Sequence, residues 1–405
     1  MTSAPILLFL ASICPFPWMP GGGERVVTVP VVTVPVVTVP ERTVVIDELP
    51  FTIDEPGRYL LAGDLSGVAG QDGLRVAADE VLLDLGGFAL SGVLGSAAGI
   101  RAVGQRRNIT ILRGTVQRWG DDGLDLATAS TSHVSGLTVL NNGGHGIHLG
   151  DNCSAADCQV QLNHGGRGLL AGREARISAV RANGNEFGGI EVGFGGTVVQ
   201  CLSVGNLSTH GIKAGGKSLV RNSTARGNHG AGIEAGGGSL LIECGVFENI
   251  DHGLRVGGDS MVAGCESTGS VDGHGLLVAQ ASFVSNSQFK DNRHLGLRAG
   301  PGVVVSACEV TGNRRGGIVV AGAARLFNNR LDADLLLEGG GIVDGNTLAA
   351  GARIMARRVP AIIVRNGAGA LEAGPACLVG PLLTPSESAG QEAEQSPWAN
   401  RIPLE

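Results

Sequence analysis

One phrase returns along this chain at a nearly constant interval. A Gly is followed by Ile or Leu, a variable residue, a small apolar residue and usually a second Gly. Examples are Gly146-Ile147-His148-Leu149-Gly150, Gly211-Ile212-Lys213-Ala214-Gly215 and Gly253-Leu254-Arg255-Val256-Gly257. The first glycines fall at 73, 99, 123, 146, 168, 189, 211, 232, 253, 275, 296 and 317, with Gly341 as a last candidate. A period of about 22 residues is too short for a repeating helix pair and matches one turn of a β-solenoid. Composition agrees: 67 Gly, 43% hydrophobic and 17% charged residues describe neither a disordered nor a membrane-embedded chain. A net charge of −7 argues against nucleic acid as a partner.

Counting from each first Gly resolves the phrase into columns. One and three residues on lie aliphatic or small residues, such as Ile190 and Val192 or Leu276 and Val278. In a strand these alternate residues share a face, so they point inward and the residue between them points out. Nine on lies a second apolar column (Ile177, Val198, Val220, Leu241, Val262), and fourteen on a third (Val160, Ala182, Val246, Phe289, Val310). Each coil therefore holds three short parallel strands. The expected fold is all-β: a right-handed parallel β-helix, a three-sheet solenoid with about 22 residues per coil and roughly 13 coils. Right-handedness follows from the strong preference of parallel crossovers. Twelve on lie Cys158, Cys201, Cys244, Cys265 and Cys308, read as small buried hydrophobes, since their spacing is the coil length and not a metal-ligand spacing. Seventeen on lie Asn163, Asn185, Asn206, Asn228, Asn249, Asn292 and Asn313, interrupted by Ser270. Stacked amides can bond one another along such an axis.

The flanks read differently. Residues 1–23 open with a short apolar run, Pro5 to Cys14, of the length of a secretory leader and too short to span a bilayer. Residues 24–43 contain VVTVP three times, and Pro at every fifth position favours an extended linker. Residues 44–375 would be the solenoid, with 44–66 as its N-terminal cap, and 376–405, rich in Ser, Glu, Gln and Pro, a loose tail. No other segment is apolar enough to cross a membrane. The expected location is secreted, periplasmic or at the cell surface.

The stretches FTIDEPGRYLLAGDL, VLLDLGGFALSG and NITILRGTVQRWG, with the recurrent N-x(3-4)-GI/GL phrase, resemble the bacterial secreted right-handed parallel β-helix repeat proteins of pectin-lyase-like fold. The resemblance covers roughly residues 44–367. It implies a fold, and polysaccharide as the substrate or partner class, without choosing a reaction. Within it, Gly120-Asp121-Asp122-Gly123 and Gly144-His145-Gly146 resemble the acidic pair and Gly-His-Gly motif of polygalacturonases. That resemblance implies inverting hydrolysis, with Asp121 and Asp122 as the acid–base pair and His145 tuning them. Two departures stand out: Ala97-Ala98 replaces that family's preceding Asn-Thr-Asp, and Leu169-Leu170 falls where its Arg-Ile-Lys would be.

The outward positions around this motif add Arg101, Trp119, Asp125, His148 and Arg167 as candidate substrate-binding residues. No metal ligands and no cofactor are expected. Ca²⁺ would enter only for a lyase, with Arg101 as base and Asp121, Asp122 and Asp125 as ligands. The outward run Glu191, Lys213, Glu234, Arg255 reads as cross-strand ion pairing. Aromatics are only 3% of the chain, which offers few platforms for sugar rings. The expected function is a structural or glycan-engaging scaffold without catalysis. The alternative is a polysaccharide-acting enzyme, a polygalacturonase-like hydrolase before a lyase, using Asp121, Asp122 and His145.

Overall fold

The computed structural model describes residues 43–356, 360–367, 370–380, 382–383 and 400–401. The proposed leader (1–23), nearly all of the linker (24–43) and most of the tail lie outside the described residues. Within them the chain is all-β, without a helix, and every strand pairing is parallel. Among the described residues no helix is long and apolar enough to cross a membrane. The chain coils right-handedly through three ladders.

The first ladder contains the repeated phrase. Its sixteen strands run from Phe51–Ile53 to Ala370–Ala373, each in register with the next coil, as in Ile190↔Ile212↔Ile233. Most show the burial alternation in–out–in that the columns demand. The count exceeds the expected thirteen at both ends. Residues 44–66 are themselves the first coil: Phe51–Ile53 pairs with Leu74–Val76, and Leu65–Ser66 with Ala89–Ser91. At the other end Leu335–Leu337, Arg353–Ala356 and Ala370–Ala373 continue the ladder. Gly341 does not anchor a coil of the first ladder; it opens a strand of the second, Gly341–Asp344. The phrase goes out of phase because the coil beginning at Ile318 reaches its partner Leu335 in 17 residues. Leu378–Val379 still pairs with Ile362–Ile363, just past the expected end of the solenoid at 375.

The second and third ladders form one 29-stranded sheet instead of two separate ones. Two eight-residue strands, Thr110–Gln117 and His133–Leu140, run round the corner between them. Each turns on one left-handed residue, Arg113 (φ 48°) or Gly136 (φ 66°). Other coils turn there in the same way, at Asp157, Ala179, Gln200, Asn222 and Glu243. A single left-handed residue redirects the strand while keeping the coils above and below in register.

Inside, the aliphatic columns are almost wholly buried. The amide column begins one coil earlier than the sequence reading had it, at Asn142. Nδ2 of each Asn donates to Oδ1 of the next along Asn142–Asn163–Asn185–Asn206–Asn228–Asn249, at 2.8–3.1 Å. Ser270 interrupts it and Asn292–Asn313 resumes it at 2.9 Å. Six of the seven described cysteines are buried, and those six are free thiols. Burial pushes Cys201 and Cys308 up to about 12.

Candidate functional site

The polar coils around Gly123 and Gly146 place their outward side chains on the first ladder, where Arg101, Asp125 and His148 occupy one column in successive register. Arg101 is the hub. Its Nε donates to Asp72 Oδ1 (2.9 Å), Nη2 to Asp121 Oδ2 (2.7 Å) and Nη1 to Asp125 Oδ2 (2.6 Å). The three carboxylates hold the guanidinium charge above its already high range, against the opposing effect of burial. Asp121, expected as part of an acid–base pair, is thus one arm of an ion cluster.

Asp122 has a different job. Its side chain is only 10% exposed, and Oδ1 accepts the backbone N–H of His145 at 2.5 Å. Oδ2 lies 3.5 Å from His148 Nδ1. His145 repeats the pattern one coil on, with Nδ1 accepting the N–H of Arg167 at 2.9 Å. Asp72 does the same for Ala98 (3.1 Å), His252 for His274 (2.9 Å) and His274 for Leu295 (3.2 Å). One column, the residue just before the repeat's first Gly, thus caps the N–H of the same column on the next coil. GDDG and GHG are two instances of this device.

The capping fixes what His145 can do. Burial above all, then His148 and Arg167, outweigh the Asp122 carboxylate and hold it below the ordinary histidine range, so the ring is neutral at pH 7. An Nδ1 that accepts a hydrogen bond leaves the proton on Nε2, which can donate to a ligand but cannot take a proton from one.

The other candidates separate. Arg167 turns away from the aspartates, with Nε 2.5 Å from Glu191 Oε2. Trp119 is not on the surface at all. It is 1% exposed, its indole N–H donates to Leu90 O at 3.2 Å, and its backbone N–H donates to Asn142 Oδ1 at the head of the amide column. A Cβ on Gly73 would lie 2.5 Å from the indole Cη2, so this ring fills the core beneath the face and offers no platform to a sugar. Where no metal ligands were expected, Asp122, Asp125 and His148 bring one ligand atom each within 4.8 Å of one another. The Arg101 guanidinium already occupies the Asp125 carboxylate, however.

The cross-strand pairing expected along Glu191, Lys213, Glu234 and Arg255 is present, at 3.4 Å for Lys213–Glu191 and 3.8 Å for Arg255–Glu234, but sequence reasoning missed that Arg167 and His210 join it. Glu191 sits among Arg167, Lys213 (3.4 Å) and His210 (3.7 Å). The visible signal was that Arg167 and His210 share the capping column. Burial alone would raise the Glu191 carboxyl; His210, Arg167 and Lys213 outweigh it and lower it to about 2. A carboxylate depressed in the folded state adds stability above its unfolded pKa and loses it as pH falls towards the folded value. Glu191→Gln is therefore expected to cost about 2 kcal/mol at pH 7 after allowance for solvent screening. The gap from wild type should close between pH 4.5 and about 2. Denaturant titrations across that range check it; a gap independent of pH would refute the ionic account.

Residues 210–348 match the family model of the right handed beta helix region. No curated protein sequence matches the chain. Among solved structures, the chain is similar to the periplasmic alginate epimerase AlgG (9% identity, 67% of this chain and 76% of that one, TM-score 0.41). It is also similar to the Azotobacter vinelandii mannuronan C-5 epimerase AlgE6 A-module (17% identity, 86% and 92%, TM-score 0.43). A third is the catalytic domain of a GH87 α-1,3-glucanase in complex with tetrasaccharides (11% identity, 90% and 63%, TM-score 0.36). Likenesses this distant carry no argument about chemistry. By its coil geometry and the matched repeat region, the chain is a right-handed parallel β-helix protein.

Proposed function

We propose that this chain is an extracytoplasmic β-helix scaffold that engages glycan through the polar face of its first ladder, with no catalysis at Asp121, Asp122 and His145. One observation carries the reading: Asp121, Asp122 and His145 each have one polar atom engaged between coils. Asp121 and Asp125 hold Arg101, Asp122 caps His145, and His145 caps Arg167. The glycan element rests on the outward polar side chains Arg101, Asp125 and His148 and, beyond Leu170, Glu191 to Arg255, whose remaining donors and acceptors can hydrogen-bond sugar hydroxyls. The extracytoplasmic element rests on the apolar run at Pro5–Cys14.

The test is a broad panel of neutral and acidic polysaccharides, scored for both retention and release of reducing ends, with wild type and Asp122→Asn. Expected are retention of at least one polymer, no release, and retention within about twofold in the variant. Release by wild type that Asp122→Asn abolishes would establish the hydrolase in place of the scaffold. Retention of no polymer would remove the glycan element.

A further inference from the structure

The corner leading into the first ladder changes length towards the C-terminal end. Six residues, Gly312–Gly317, lead into Ile318–Val320; three, Asp332–Asp334, lead into Leu335–Leu337; and four, Ala349–Ala352, lead into Arg353–Ala356. The longer corner stands out beyond the shorter ones and bounds a cavity of about 510 Å³. That is within the roughly 300–1,000 Å³ of ordinary small-molecule sites.

Its floor is the outward column of the first ladder, which has changed character. Glu191, Lys213, Glu234 and Arg255 hold that column on earlier coils. Here it is Val319, Leu336 and Met355, stacked in register and half-buried. The cavity has no aromatic lining residue. Its rim carries Arg315, which is exposed and has no ion-pair partner among the described residues. The acids nearby are engaged: Asp334 pairs with Arg353 at 2.9 Å, and Asp332 accepts the Gly312 N–H at 2.6 Å.

We propose that this cavity binds a carboxylate bearing an aliphatic chain, with the chain on the Val319–Leu336–Met355 floor and the carboxylate on the Arg315 guanidinium. The planar fork of arginine matches a carboxylate with two parallel hydrogen bonds. An aliphatic floor without an aromatic ring suits a flexible chain better than the face of a sugar. The site is separate from the polar coils assigned to glycan and does not depend on that reading.

The experiment is calorimetric titration of the full chain with linear carboxylates from butanoate to decanoate. Alcohols of equal length and glucuronate serve as comparisons. Affinity is expected to tighten about fourfold per added methylene until the floor is covered. Each alcohol should bind at least tenfold more weakly than its carboxylate. Arg315→Gln should lose tenfold or more and Arg315→Lys should recover part of that loss. Leu336→Asn should flatten the chain-length series. Thermal melts confirm that each variant is folded, which the exposure of Arg315 favours. No binding, a flat series in wild type, or an unchanged affinity in Arg315→Gln overturns the proposal. Glucuronate bound as tightly as octanoate overturns it in favour of a saccharide site.

Discussion

Asn206→Ala is expected to destabilise the fold by about 3–5 kcal/mol, through several buried groups each left without a partner at about 1–3 kcal/mol. Asn206 is fully buried and works in both directions along the axis. Its Nδ2 donates to Asn228 Oδ1 (2.8 Å), Ser203 Oγ (2.9 Å) and Ala182 O (3.2 Å). Its Oδ1 accepts from the Asn185 backbone N–H (2.9 Å) and from Asn185 Nδ2 (3.1 Å). Alanine removes all of these and leaves the groups where water cannot reach them. Asn206→Ser should fall between alanine and wild type, because Ser270 holds the same column naturally and its N–H is still satisfied by Asn292 Oδ1. Denaturant midpoints read the order directly. Because each coil contacts only its neighbours, the loss should first show as earlier hydrogen exchange in the coils flanking residue 206. An alanine variant within 1 kcal/mol of wild type would mean that water replaces the amide at about its full worth.

The second large effect is expected at a repeat glycine. Gly232→Ala should cost about 3 kcal/mol, from a methyl group forced into a closed space. The Cβ would lie 2.6 Å from Asn249 Nδ2, 2.8 Å from Gly253 O and 3.0 Å from Val246 Cβ. None of these can retreat cheaply. Asn249 is held by its own bonds to Ala225 O and from Asn228, and the Gly253 carbonyl accepts the Ile233 N–H at 3.0 Å. Gly63→Ala is the control: a Cβ there meets nothing within 4 Å, so its effect should be near zero. Equal costs at the two positions would contradict the steric account.

Gly232 also shows where legibility ended. A glycine-rich repeat with short apolar runs predicts strands and tight turns, and the corners do turn on left-handed residues, including Gly184, Gly205 and Gly227. The first glycines of the phrase, which made the repeat visible, are not among the left-handed residues. At Gly123, Gly146, Gly168, Gly189, Gly211, Gly232 and Gly275 the amide of the Asn column and the carbonyl of the next coil press on the place of a side chain. That pressure exists only once the coils are stacked, so nothing local in the phrase reveals it. The site followed the same course. Arg101, Asp121 and Asp125 do come together, because residues one coil apart in sequence become neighbours in register. That one oxygen of each aspartate is spent on a single guanidinium depends on side-chain directions that spacing does not carry. Trp119 looked like a surface aromatic beside the polar coils, yet its ring lies under Gly73 in the core.

By itself the sequence determined the architecture: an approximately 22-residue period with three inward columns can bury its aliphatics only by coiling in register, and the amide column then follows. It also marked the coils where the repeat is broken by charge. Tertiary structure alone decided what those charges do, because capping, ion pairing and cavity formation depend on contacts between coils and on the length of a corner. In the same structure the GDDG and GHG motifs supply backbone caps from one coil to the next. Where one corner shortens from six residues to three, it opened a cavity beside Arg315, an arginine without an ion-pair partner among the described residues, that the repeat pattern did not announce.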